Sequence, residues 1–166
     1  MIHPFPDQRL AVLVDTANLY HSAKSLFGGA RIDYRRLLDR VADGRRVVRA
    51  IAFVVRGEDV DVSPFISALH TVGFETRIKI LRRKSDGGSR GSWDVGLALT
   101  AADLASRVDA IALASGDGDL TDLVRYLVAR GVRTEVVAFP GTVAEPLVEA
   151  ADAFLGLEDD VLMERR

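Results

Sequence analysis

"DAIALASGDGDLTDLVRYLVARGVRTEVVAF", residues 109–139, decides the fold. Its first seven residues are an apolar run with the length of a buried strand. An amphipathic helix follows over 119–131, closed by a glycine, and "RTEVVAF" (133–139) is a second strand. A strand, a crossover helix and another strand on short connections make a parallel unit. Where the first strand meets the helix, two aspartates flank one glycine. A turn needs only one of them.

The same alternation runs outward in both directions. "LAVLV" (10–14) reads as a strand, with helical stretches over 16–27 and 32–43. A strand over 46–55, a helix over 63–73 with proline in its first turn, and a strand over 74–81 follow. "KSDGGSRGS" (84–92) is a flexible loop, and 93–107 is helical. After the strand at 133–139, residues 142–154 read as the last helix, and a charged end, "EDDVLMERR", is placed to fray. The pattern predicts a three-layer α/β/α sandwich with a mainly parallel central sheet of Rossmann-type topology. The domain is expected over 10–158, with an extension at 1–9 and a charged tail at 159–166.

Composition narrows the classes. The chain has 166 residues, 48% hydrophobic and 28% charged, enough for one domain with its own core. With no cysteine, it has no disulfides, thiolate metal sites or cysteine nucleophiles, which fits the cytoplasm. No signal peptide is read at "MIHPFPDQRL", and no apolar run approaches the roughly 20 residues of a membrane helix. The net charge of −2 means that a nucleic-acid partner must be held by a local basic patch.

In open α/β sheets, functional groups collect outside the carboxyl ends of the strands. Asp15 follows the first strand directly, with Asn18 a turn beyond, and Asp117 and Asp119 follow the fourth. Asp94 starts the helix leaving the glycine-rich loop. Each has a structural alternative: Asp15 and Asp119 as helix caps, Asp94 as a partner of the helix dipole. Capping does not explain Asp117 and Asp119 together. Converging carboxylates repel and need a cation, and hard oxygen ligands suit Mg²⁺ or Mn²⁺. Gly118 is expected to let the chain turn tightly enough for its neighbours to face one ion.

"VDTANLYHSAK" (14–24), "RGSWDVGLALTA" (90–101), "SGDGDLTDLV" (115–124) and "LVEAADAFLGLEDD" (147–160) together resemble the NYN-domain proteins of the LabA-like group, within the PIN-like nuclease fold. The resemblance implies metal-dependent hydrolysis of RNA phosphodiester bonds, with Asp15, Asp94, Asp117 and Asp119 as metal-binding, catalytic acids. It also implies a last helix followed by a strand. Asn18 would hydrogen-bond a neighbouring carboxylate or a water, and Ser115 would orient a ligand. This chain departs from the pattern at Thr100, where the family commonly has a further aspartate, at Arg90 in place of a lysine, and at Ala144 in place of a serine. Thr100 can still hydrogen-bond but brings no charge.

Arg82, Arg83, Lys84 and Arg90 surround the glycines just before Asp94, and Arg56 follows the second strand. They are candidate contacts for a phosphate backbone, with solvated surface charge as the alternative. Trp93 is read as a packing residue in preference to a base-stacking one. His3, His21 and His70 lack ligand spacing. Single-stranded RNA is the expected partner, and a homodimer is left open.

Three rivals remain. A haloacid-dehalogenase-like phosphatase would use Asp117 and Asp122, but Ala17 occupies the place of its second N-terminal aspartate. An RNA-binding module with a decayed site draws support from Thr100. A dinucleotide-binding role lacks its glycine signature, since the chain reads "DTANLY" after the first strand.

Overall fold

A computed structural model describes residues 5–82 and 91–164. Arg83, Lys84 and Arg90 of the basic loop, and His3, lie outside the described residues. The apolar runs become six strands: β1 (Arg9–Asp15), β2 (Arg46–Gly57), β3 (Glu75–Leu81), β4 (Ala110–Ala114), β5 (Arg133–Ala138) and β6 (Ala153–Gly156). All pair in parallel, in the order β3-β2-β1-β4-β5-β6. β1 and β4 lie at the centre and are buried on both faces, which is why they read as continuous apolar runs without alternation.

The helices are α1 (Thr16–Phe27), α2 (Tyr34–Ala42), α3 (Ser63–Val72), α4 (Asp94–Leu104), α5 (Thr121–Ala129) and α6 (Glu145–Ala150). Strand side chains point to the two faces in turn, so the core has two halves. Val12, Val14, Ala52 and Val137 pack with Leu19 and Ala23 of α1, Leu37 and Val41 of α2, and Leu69 of α3. Ala11, Leu13, Phe53 and Ile111 pack with Leu97 and Ala101 of α4, Val124 and Leu127 of α5, and Leu147 of α6. Three helices therefore cover each face. Local signals fix their ends: the Asp33 carboxylate accepts from the Arg35 and Arg36 amides to start α2, and Gly73, at φ +114°, closes α3.

Strand order reverses between β1 and β4. In this topology the connections leave the two central strands on opposite sides and open a crevice above their carboxyl ends. Asp15 and the Ser115–Asp119 loop border it.

The C-terminal part departs from the periodicity reading. Residues 142–154 are not one helix. Pro146 occupies the first turn of α6, and Ala151 is already extended at φ −82° and ψ 155°. The Asp152 carboxylate accepts from the Thr134 amide at 2.8 Å, and Ala153–Gly156 then add to β5 as the last strand. A short helix before a sheet edge shows too few turns for periodicity to mark its end. The helix–strand pair implied by the family resemblance is the arrangement found.

The described part of the charged end, up to residue 164, packs through its apolar residues. Val161 and Leu162 are buried, Leu162 bridges Ile32, and Asp160 pairs with Arg40 at 2.6 Å. Two apolar residues inside a charged segment hold it against α2, where charge alone suggested fraying.

One buried ion pair ties the layers together at the end of the sheet away from the crevice. The Arg45 guanidinium donates twice to Glu135, at 2.9 and 2.8 Å, with side-chain exposures of 1% and 8%. Arg133 donates to the same carboxylate at 2.8 Å. Burial pushes the Glu135 carboxyl up, but the hydrogen bonds and charges of Arg45 and Arg133 outweigh it and leave it below the usual range. A carboxyl lowered in the folded state contributes stability above its unfolded pKa and loses it as pH falls through the folded value. Glu135→Gln is therefore expected to cost about 3–5 kcal/mol at pH 7, because it strands a buried guanidinium. In urea titrations its gap to the wild type should narrow below the carboxylate range.

Candidate metal centre

The crevice is built from two loops and one helix start. β1 ends at Asp15, whose Oδ1 accepts from the Asn18 amide at 3.1 Å and caps α1. The capping role is real and uses one oxygen. The other, Oδ2, accepts from the Ser115 hydroxyl at 3.4 Å across the crevice. Ser115 is buried and also accepts from the Asp117 amide at 3.3 Å, so one hydroxyl links both sides of the switch point.

Asn18 fixes the second loop. Its Oδ1 accepts from the Gly116 amide at 2.8 Å, while the Gly116 carbonyl accepts from the Ala144 amide at 3.0 Å. A Cβ on Gly116 would stand 3.1 Å from the Val143 Cα, so the loop is wedged between α1 and the segment before α6. Beyond it, Asp117 Oδ1 accepts from the Asp119 amide at 3.0 Å and caps a single 3₁₀ turn, Gly118–Leu120. Asp119 does not cap α5, whose N-cap position is Leu120. Its carboxylate is left exposed toward the crevice acids. Gly118 lies in the 3₁₀ turn without a left-handed backbone, and a Cβ added to it would stand 3.1 Å from the Ala144 Cβ, a close approach.

Asp94, the first residue of α4, completes the group. One carboxylate oxygen each from Asp94, Asp117 and Asp119 lie within 4.8 Å of one another. Asp94 and Asp117 are half-buried and Asp119 is exposed. Asp15 stands beside this trio rather than inside it, close enough to feel two of its charges. Burial pushes the Asp15 carboxyl up, against the Asn18 amide, and the charges of Asp94 and Asp117 add to the rise. Among the described residues, no lysine or arginine forms an ion pair with any of the four.

The remaining candidates are placed as follows. Thr100 donates to the Gly96 carbonyl of its own helix at 2.8 Å. Arg56 is committed to the carbonyls of Gly57, Glu58 and Val60, and Arg82 is exposed just after β3. Trp93 packs edge-on against Phe53 at 5.4 Å and donates Nε1–H to the Val54 carbonyl at 2.9 Å. His21 and His70 are exposed, and His70 hydrogen-bonds Thr76. Asp122, needed for the phosphatase alternative, pairs with Arg125 on the outside of α5. Two residues at the site carried no sequence signal: Ser92, whose hydroxyl donates to Asp94 Oδ2 at 2.6 Å, and Lys79, which reaches the Ser92 carbonyl from β3.

Fold and crevice define an α/β domain with an acidic cluster at the switch point of a parallel sheet. The chain belongs to the NYN domain family, whose family model matches residues 9–158. It is 27% identical over 163 residues to the low amplitude and bright protein LabA of Synechococcus elongatus, covering 93% of this chain and 87% of that protein. The crystal structure of a Vibrio parahaemolyticus protein of unknown function superposes with a TM-score of 0.86 at 31% identity, over 98% of this chain and all of that one.

Burying the Asp15 carboxylate, with two like charges nearby, costs stability. A carboxyl raised in the folded state favours folding while protonated, and that contribution is lost as pH rises through the raised value. Asn keeps the cap and removes the charge. In EDTA at pH 7, Asp15→Asn should melt higher than the wild type, by ~2–4 °C for each kcal/mol relieved. The difference should shrink below the aspartate range. Differential scanning calorimetry across pH checks both.

Proposed function

We propose that this protein is a divalent-metal-dependent ribonuclease acting on single-stranded RNA, with Mg²⁺ or Mn²⁺ held by Asp94, Asp117 and Asp119. The observation that carries the reading is the convergence of three carboxylate oxygens, from two distant segments, without a described basic side chain to balance them. Capping accounts for Asp117 and the Ser92 hydroxyl for the orientation of Asp94, but neither accounts for Asp119, and the mutual repulsion is left uncompensated. A hard, oxygen-only donor set with one exposed member suits a small divalent ion that keeps solvent for a substrate phosphate.

Such a cation, when bound, stabilises charge developing on a phosphoryl oxygen and lowers the pKa of water. The chain's own groups set the geometry. Asn18 and Ser115 hold the β4 loop against α1, which fixes the spacing between Asp15 and Asp117. Asp15 adds a fourth carboxyl, half-buried and oriented by two donors, to the wall of the crevice. Arg82, with Arg83, Lys84 and Arg90, supplies positive charge on the segment leading to Asp94, where a phosphate backbone would enter. Arg56 contributes to this only if it leaves its loop carbonyls.

A second reading, RNA binding without cleavage, rests on Thr100, which is turned into its helix and adds no charge where the family pattern has an acid. One experiment separates them: single-stranded RNA and DNA incubated with Mg²⁺ or Mn²⁺, beside Asp15→Asn and Asp117→Asn. RNA cleavage should appear with metal, stop with EDTA, and fall in Asp117→Asn by more than the ~10–100-fold typical of outer-shell changes. Tight RNA binding with no cleavage under either ion supports the second reading. Cleavage that survives EDTA and both substitutions refutes the first.

A further inference from the structure

We infer that Ser92, backed by Lys79 and Trp93, is the positioning residue for Asp94; the inference rests on the metal-binding reading above. α4 begins without a side-chain cap, since Trp93 occupies the N-cap position and makes no capping bond. A helix start that follows a long glycine-rich loop and leaves its first amides without a cap is prone to fray. Four contacts, none of them to those amides, hold the residues around this start instead. The Ser92 hydroxyl donates to Asp94 Oδ2 at 2.6 Å. Lys79 Nζ donates to the Ser92 carbonyl at 2.5 Å and stands 4.6 Å from the centre of the Trp93 ring. The indole in turn donates to the Val54 carbonyl of β2 at 2.9 Å.

Gly96 makes the arrangement fit, because a Cβ there would lie 2.6 Å from the Trp93 ring. Asp94 is thus oriented from β2 and β3, while Asp117 and Asp119 are oriented from β4. The two halves of the cluster are set by different strands of one rigid sheet. A small ion with ligands at ~2.0–2.1 Å tolerates little misplacement, and outer-shell partners of ligating groups typically carry ~10–100-fold in affinity.

The test is calorimetric titration of the full chain with Mn²⁺ alone, with melting temperatures taken in EDTA. Ser92→Ala and Lys79→Met should each weaken Mn²⁺ binding ~10-fold or more. Both should melt within ~2 °C of the wild type, as surface substitutions do. Ser92→Thr should restore binding. Wild-type Mn²⁺ affinity in Ser92→Ala overturns the inference, and unchanged affinity with a lowered melting temperature in Lys79→Met reduces the lysine to a structural strut. Asp117→Asn is the control for the underlying reading: if it binds like the wild type, or the wild type binds no Mn²⁺, the metal centre itself falls and the inference with it.

Discussion

Like-charge repulsion is the constraint on which this structure turns. Three carboxylate oxygens lie within 4.8 Å of one another and a fourth carboxyl stands beside them in the crevice. Left to themselves, loops would move such groups apart. They stay together because each is fixed by something stiffer than a loop: the end of a buried central strand, a one-turn 3₁₀ helix capped by one of the acids, and the start of a helix clipped to the sheet. The fold stores this repulsion at one place and compensates with burial elsewhere.

That compensation is visible in the two central strands. β1 and β4 are sealed on both faces, so the positions just past their ends are defined to within small rotations of the backbone. The Asn18 amide oxygen and the Ser115 hydroxyl carry the rigidity across the switch point, each joining the β1 side to the β4 side by one hydrogen bond. At the other end of the sheet, the Arg45–Glu135–Arg133 cluster ties α2 and the start of β2 to β5. The protein thus keeps a compensated charge cluster at one end and an uncompensated one at the other. Only the second faces outward.

Much of this was legible in the residues. Continuous apolar runs such as 10–14 and 110–114 marked buried parallel strands, and the acids at their ends marked the crevice. What was not legible follows from the range of the signals. Residues 153–156 form a strand only because β5 offers an edge, a partner that periodicity in 142–154 does not record. The buried Val161 and Leu162 are two apolar residues within a charged segment, decided by the surface of α2. Gly118 does lie in a turn, but the approach of Ala144 to it, a contact between segments 26 residues apart, had no signal in the sequence. Arg56 was a candidate phosphate contact or a surface charge, and its three carbonyl partners had no sequence signal, while Ser92 and Lys79 matter only because an edge strand and a helix start meet. Strand-end chemistry was readable, including the convergence of the acids; packing between other distant segments was not.

In the proposed metal centre, Asp94, Asp117 and Asp119 grip one divalent ion together. Diffraction from a crystal soaked in Mn²⁺, measured on both sides of the manganese absorption edge, tests this most directly. An anomalous peak is expected in the crevice above β1 and β4, within coordination distance of an oxygen from each of the three aspartates. A crevice without such a peak, in a crystal where manganese is seen elsewhere, would contradict it.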